Sequence, residues 1–291
     1  MQDHNWDDLR CLLALQRTGT LSEAGRRCGV SETTVARRLK RLERALNVEL
    51  FARNERGNFE PTDPARAILD HAEAVEFENA ALREKLGQLA GRIEGTVRLS
   101  SVPMIIRHIL VPNLEGLWAD HPNVILELVP EPRNVDLTKR EADLAVRFSR
   151  PAQGGLMTKA KKLGELEFDV FCAAKTSAGA EDDLGWIGYD DANITLPQAR
   201  WTDALRRQSS GRSSVLKVED IDTALEAVAH GLGRAVLPKV ACKRDSRIRP
   251  ATAQFRHQKM TREVWLLSHS DLDSRQAIRA AKSWLTNLTW S

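Results

Sequence analysis

The stretch from Leu21 to Phe51 constrains this chain more than any other. It reads as a short helix, a tight turn at Cys28-Gly29-Val30 and a longer helix from about Ser31 to Leu46. In the longer helix Val35, Leu39, Leu42 and Leu46 recur at spacings of four, three and four, which stacks them on one apolar stripe. Thr33, Arg37, Lys40 and Arg44 fall on the opposite side. One face is built to be buried and the other to meet something negatively charged. Between Arg26 and Arg44 stand seven basic residues (Arg26, Arg27, Arg37, Arg38, Lys40, Arg41, Arg44) against two acids, Glu32 and Glu43. The whole chain carries 43 basic and 40 acidic residues, a net charge of only +3. Affinity for a polyanion therefore has to come from this concentrated patch.

Most charge runs are simply solvated helix faces. Here other features accompany the charge: small Ala24 and Gly25 let a second helix cross closely, Gly29 permits the turn, and Ser31 can cap the helix that follows. Together they resemble helix-turn-helix DNA-binding architecture, in which the second helix lies in the major groove. A bracing helix is expected over Trp6 to Arg17, ended by Gly19. Leu50 to Thr62 alternates around Arg56-Gly57-Asn58, which reads as a hairpin.

The chain resembles the LysR-type transcriptional regulators from its start. Trp6-Asp7-Asp8-Leu9-Arg10 with Leu12-Leu13-Ala14-Leu15 carries the resemblance, then Thr18-Gly19-Thr20-Leu21-Ser22-Glu23-Ala24, Val30-Ser31 through Thr34-Val35, and Arg37-Arg38-Leu39. Leu42-Glu43, Leu50-Phe51, Arg53, Arg56-Gly57 and Pro61-Thr62 continue it without a gap over some sixty residues. The resemblance implies a winged helix-turn-helix over residues 1–62 that binds double-stranded operator DNA. Base-facing positions then fall on Glu32, Thr33, Ala36 and Arg37, with Thr34 beside them. Glu32 is suited to accept from cytosine N4, Ala36 to touch a thymine methyl, and Arg37 to pair bidentately with guanine. Glu32, Thr33 and Ala36 depart from the residues common in the family, so the operator sequence is not legible. Arg38, Arg41 and Arg53 are expected at phosphates, with Arg56 beside them on the wing; both wing arginines also suit a merely soluble hairpin.

Pro64 to Ile93 reads as one long helix, with Thr62 or Asp63 available to cap it and Pro64 fitting its first turn. Ile68, Ala72, Val75, Asn79, Leu82, Leu86, Leu89 and Ile93 alternate spacings of four and three, a heptad seam that argues for pairing between chains. Asn79 interrupts it as a register-fixing polar residue. Packing of the helix on its own chain is the second reading. The resemblance implies dimerisation through this linker, residues 63–94, with dimers pairing into a homotetramer and RNA polymerase among the partners.

Beyond Gly95 short apolar runs alternate with amphipathic helices. Strands are expected at Thr96–Ser101, Val124–Val129, Ala142–Phe148, Glu167–Ala174, Trp186–Tyr189, Val215–Val218, Arg234–Leu237 and Val264–Ser268. Helices are expected at Met104–Asp120, Trp201–Gln208, Asp220–His230 and Ser274–Leu288. This implies an α/β domain with largely parallel strands. By resemblance it is the effector-binding region, residues 95–291, with two lobes of periplasmic-binding-protein type. Lobe I covers about 95–165 and 266–291, lobe II about 166–265, with crossovers near Gly164–Phe168 and Val264–Ser268. A ligand in such a fold sits between the lobes at the carboxyl ends of strands. Ser100, Ser101 and Val102 hold that place after the first strand, Arg147 and Phe148 after a later one, and Asn193 and Thr195 face them. Hydroxyls, helix-start amides and a guanidinium suit a small anionic effector. A plain helix cap at Ser100 and an inter-lobe salt bridge at Arg147 are the bland alternatives.

The four cysteines, Cys11, Cys28, Cys172 and Cys242, are scattered, without metal-ligand spacing. No cofactor or metal is expected. The start of the chain lacks a signal pattern and no run approaches a membrane span, so a cytoplasmic protein without membrane partners is expected. Two rivals remain: an enzyme with a DNA-binding arm, although no nucleophile elbow, phosphate loop or metal-ligand pair appears, and an architectural DNA binder without a ligand.

Overall fold

Side-chain caps set where the first three helices begin. Asn5 accepts from the amide of Asp7, Thr20 from that of Glu23 and Ser31 from that of Thr34, satisfying donors that a helix start leaves unpaired. The computed structural model describes residues 5–89, 93–131, 142–150, 158–177, 179–208, 214–251 and 260–290. The chain divides into two units, Met1–Arg92 and Ile93–Ser291.

The first unit runs α1 (Trp6–Thr18), α2 (Leu21–Cys28), α3 (Glu32–Leu46), β1 (Phe51–Arg53), β2 (Phe59–Pro61) and α4 (Asp63–Leu89). Its core gathers Cys11, Leu12, Leu13, Leu15, Ala24, Val35, Leu39, Leu42 and Leu50, all at most 5% exposed. The apolar stripe of α3 is thus spent inward, as its spacing anticipates. The α2–α3 turn needs two glycines for different reasons. Gly29 holds a left-handed φ of 70°, and a Cβ on Gly25 would lie 2.8 Å from the Val30 carbonyl oxygen. β1 and β2 pair antiparallel, Phe51 opposite Pro61, around a turn closed by Gly57.

The long helix serves its own unit first. Ala65 and Ala72 are buried in the same core, Ile68 and Leu69 pack against it, and Arg17 of α1 grips Glu76 through two hydrogen bonds of 3.1 and 2.7 Å. From Val75 the seam turns outward: Val75 is 38% and Leu82 57% exposed, while Asn79 donates to the Val75 carbonyl on its own helix. The side chains of Leu86 and Leu89 lie outside the described residues. Ile93, counted above as the last member of the seam, is not helical and stands immediately before the next strand.

The second unit begins with β3 (Glu94–Ser101), then a helical run of changing pitch: α5 (Pro103–Ile105), a π turn at Ile106–Leu110, a 3-10 turn at Val111–Asn113 and α6 (Leu114–Asp120). The sequence suggests one regular helix here. Pro112, which has no amide hydrogen to donate, falls where the pitch changes. There follow β4 (Asn123–Pro130), β5 (Leu144–Arg147), β6 (Thr158–Ala173), β7 (Trp186–Tyr189), α7 (Pro197–Gln208), β8 (Ser214–Val218), α8 (Ile221–Ala229), β9 (Ala235–Pro238), α9 (Lys239–Cys242), β10 (Ile248–Pro250), β11 (Met260–His269) and α10 (Gln276–Asn287).

The main sheet has the order β10-β6-β11-β5-β3-β4, with β9 also on β6, and β7 and β8 form a separate parallel pair. It is mixed rather than largely parallel. Only β3 pairs in parallel, with β4 and β5, whereas β11 runs antiparallel to β5 and β6, as do β9 and β10 to β6. The reason is the two crossover strands. β6 and β11 pair from Met260 opposite Phe168 to His269 opposite Thr158, and their register slips between Val264 and Trp265. One end of this ribbon joins β5, β3 and β4; the other end carries β9 and β10. Gly164 sits at the slip, where a Cβ would come within 2.6 Å of the Trp290 Cβ. The ribbon therefore divides the unit into two lobes.

Candidate nucleic-acid interface and ligand cleft

The outer face of α3 presents Glu32, Thr33, Arg37, Lys40 and Arg44 to solvent. Thr34 is half-buried and joins the cap: the Ser31 hydroxyl lies 2.9 Å from those of both Thr33 and Thr34. Ala36 is half-buried. The arginines then separate into two kinds. Arg38 donates to Asp7 at 3.1 Å, and Arg41 grips the buried Asp8 through Nε at 2.8 Å and Nη2 at 2.5 Å. Both are tied to α1, and Asp8 raises the Arg41 pKa. Arg37, Lys40 and Arg44 form no ion pair among the described residues and remain available to an outside anion. On the wing the Arg53 guanidinium lies 4.6 Å over the Phe59 ring and donates to the Gly57 carbonyl at 3.3 Å, while Arg56 is exposed at the turn.

In the second unit Ser100, Ser101 and Arg147 come together on adjacent strands and are at most 3% exposed. Arg147 Nη2 donates to Ser100 Oγ at 2.8 Å and Nη1 to the Val146 carbonyl at 3.0 Å; its Nε is buried with no acceptor. Ser101 Oγ donates to the Val146 carbonyl at 3.0 Å. The N-cap of the following helix is Val102, so Ser100 is not a helix cap, and among the described residues Arg147 makes no inter-lobe salt bridge. Phe148 follows β5 and faces a group that sequence reasoning did not find. Arg262 of β11 lies 4.0 Å over its ring and donates to Gln198 of α7 at 2.9 Å. Phe168 stands 6.3 Å from Phe148 and 5.5 Å from Trp201. Tyr189, at the end of β7, has a buried hydroxyl beside Gln198.

Burial lowers the pKa of Arg147, and lowers that of Arg262 to about 10. Burial likewise raises that of Tyr189. The signal for Arg262 was hidden because Met260-Thr261-Arg262-Glu263 looks like a polar loop before an apolar strand. Only the crossover register brings it to Phe148. Asn193 is committed to a turn through Asp190, at 2.7 Å, and Thr195 is exposed.

Two surface cavities, of about 510 and 610 Å³, are lined largely by α10 and its neighbours and include none of the residues around Arg147 and Arg262. Among the described residues no group of three or more His, Cys, Asp or Glu is placed to hold a metal, and no helix is long and apolar enough to cross a membrane.

A winged helix-turn-helix joined through a long helix to a two-lobed α/β unit defines a DNA-binding protein of the ligand-responsive regulator class. Residues 6–66 match the family described as "Bacterial regulatory helix-turn-helix protein, lysR family", and residues 90–289 match "LysR substrate binding domain". The Mau operon transcriptional activator of Paracoccus denitrificans is 30% identical over 98% of this chain and 96% of its own length. Among solved structures, full-length OxyR from Pseudomonas aeruginosa matches with a TM-score of 0.67 at 20% identity, over 100% of this chain and 97% of that one. CrgA from Neisseria meningitidis, a LysR-type transcriptional regulator, matches with 0.54 at 19%, over 98% of both chains. The chain belongs to the LysR family of transcriptional regulators, whose members bind DNA and small-molecule effectors, oligomerise, and are not enzymes.

Proposed function

We propose that this regulator reads its operator with the outer face of α3 and responds to a small anionic effector held between the two lobes of its second unit. Arg37 takes the base-reading role, with Glu32, Thr33, Thr34 and Ala36 along the same edge. Lys40, Arg44, Arg53 and Arg56 meet phosphates, while Arg38 and Arg41 brace α3 against α1. The observation that carries the effector reading is Arg147: a guanidinium buried between strands, held by Ser100, with one N–H still lacking an acceptor. A buried donor in that state is costly unless something supplies the missing partner. Ser101 and Val102 complete that wall, and Asn193 and Thr195 border the opposite one.

The exposed stretch of α4 around Val75, Asn79 and Leu82, continuing through Leu86 and Leu89, pairs two chains while Ile68 stays with its own core. Dimers of dimers on DNA, in the cytoplasm and in reach of RNA polymerase, complete the reading. Effector binding changes the relation of the lobes and so biases one DNA-bound arrangement over another. Isothermal titration of the full chain with small carboxylates and their neutral amides tests the effector arm. Heat with carboxylates only, lost in Arg147→Gln, is the expected result. Binding of neutral ligands alone overturns it.

A further inference from the structure

Two guanidinium groups of the second unit, Arg147 and Arg262, are both largely withdrawn from water. Arg147 hangs from the end of β5, fixed by Ser100 and the Val146 carbonyl. Arg262 comes from the opposite lobe's end of β11, anchored on Gln198 and the Phe148 ring. Neither forms an ion pair among the described residues. The charge of Glu131 also acts on Arg147, less strongly than burial does. The Tyr189 hydroxyl, in a residue 8% exposed, lies beside Gln198 and close enough to Arg262 and Asp220 to feel their charges. Two desolvated guanidinium groups without an ion pair among the described residues, one of them with an open N–H, thus stand near an aromatic group of Phe148, Phe168 and Trp201, with Arg262 on the Phe148 ring. A desolvated cation without a counter-ion is costly, and a bound ligand that supplies the charge relieves it.

Resting on the effector reading above, we propose that the effector is a small dicarboxylate, one carboxylate meeting Arg147 and Ser100 and the other meeting Arg262 and Tyr189, with Arg262 selecting two charges over one. The guanidinium fork matches a planar carboxylate through paired hydrogen bonds. The Ser100 hydroxyl accepts from Arg147 and keeps its own proton free to donate to the ligand. The Phe148 ring, which follows Arg147 in the chain and lies under Arg262, suits a short hydrocarbon spacer rather than a third polar group.

The test is calorimetry on the full chain with succinate, glutarate and adipate, each against the monocarboxylate of the same length (butyrate, pentanoate, hexanoate), and with inorganic phosphate. One dicarboxylate is expected to bind at least about thirtyfold tighter than its monocarboxylate, the scale of one buried charge pair. Arg262→Gln is expected to erase that ratio without changing monocarboxylate affinity, and Arg262→Lys to restore part of it. The dicarboxylate inference is overturned if no dicarboxylate binds, if a monocarboxylate or phosphate binds as tightly, or if Arg262→Gln leaves the ratio intact. Anion binding that needs Arg147 but shows no preference for two carboxylates, or a preference that survives Arg262→Gln, removes this inference and leaves the anionic-effector reading standing; no anion binding at all removes both. Should Arg262→Gln lose its thermal transition, Gln198→Leu withdraws the anchor of Arg262 and carries the same ratio test.

Discussion

Gly25 shows how a single missing side chain shapes the DNA-facing part of the molecule. The chain folds back so tightly after α2 that a Cβ there meets the Val30 carbonyl at 2.8 Å and the Glu32 amide nitrogen at 3.2 Å, both backbone atoms unable to step aside. Gly25→Ala is expected to destabilise the first unit by about 1–3 kcal/mol, as overpacking does. Its melting transition, followed by circular dichroism, checks this; an unchanged midpoint would refute the close approach. In the second unit one of the carboxylates that answer to pH is Asp273, between β11 and α10. Lys159, and then Lys282, hold its carboxyl below the ordinary value of 3.8. A carboxylate with a depressed folded pKa adds stability that is present above 3.8 and is lost as pH falls through the folded value. Asp273→Asn is therefore expected to lower stability at pH 7 and to flatten the loss between about pH 5 and pH 2, read as the thermal midpoint against pH. Since the group is partly exposed, solvent screening keeps the effect small.

At the scale of elements, α3 divides its work by face. Its stripe of Val35, Leu39 and Leu42 is buried as the sequence spacing demands, and its caps stand at Ser31 and Asn47. The division among its arginines was not legible, because it depends on which acid of α1 stands opposite. Arg38 and Arg41 meet Asp7 and Asp8, while Arg37, one position from Arg38, forms no ion pair among the described residues. Arg37→Ala is expected to cost about tenfold in discrimination at one operator position, and Lys40→Ala to weaken all sequences alike while reducing the salt slope by about one. Gel-shift titrations across operator variants and salt concentrations separate the two. Equal effects of Arg37→Ala on every variant would contradict base reading. Strands were readable where an apolar run is buried whole, as at Trp186–Tyr189. They were not readable where pairing alone makes them: the Lys159-Lys161-Lys162 end of β6 looks like a charged loop, and β10 is three residues ending in Pro250. The same cause hid the approach of Arg262 to Phe148, whereas the strand-end positions of Ser100 and Arg147 were legible because each stands near the end of an apolar run.

At the scale of the whole molecule, the heptad seam of α4 divides between one observed use and one proposed use. Ile68 and Ala72 complete the core of their own unit, while Val75 and Leu82 are exposed and are the contact that the proposed pairing of chains would use. Period alone does not tell these apart, because both uses ask for the same apolar spacing. Leu82→Glu is expected to leave the melting of the first unit unchanged and to break the assembly, since a charge in a paired seam is disfavoured and this residue touches no core. The central claim is that α3 is presented to a duplex in more than one copy. Sedimentation velocity on the full chain mixed with a labelled operator duplex measures this most directly. Two or four chains per duplex are expected, falling to none or one with Leu82→Glu at the same concentration. A wild-type complex of one chain per duplex, unmoved by Leu82→Glu, would contradict the account.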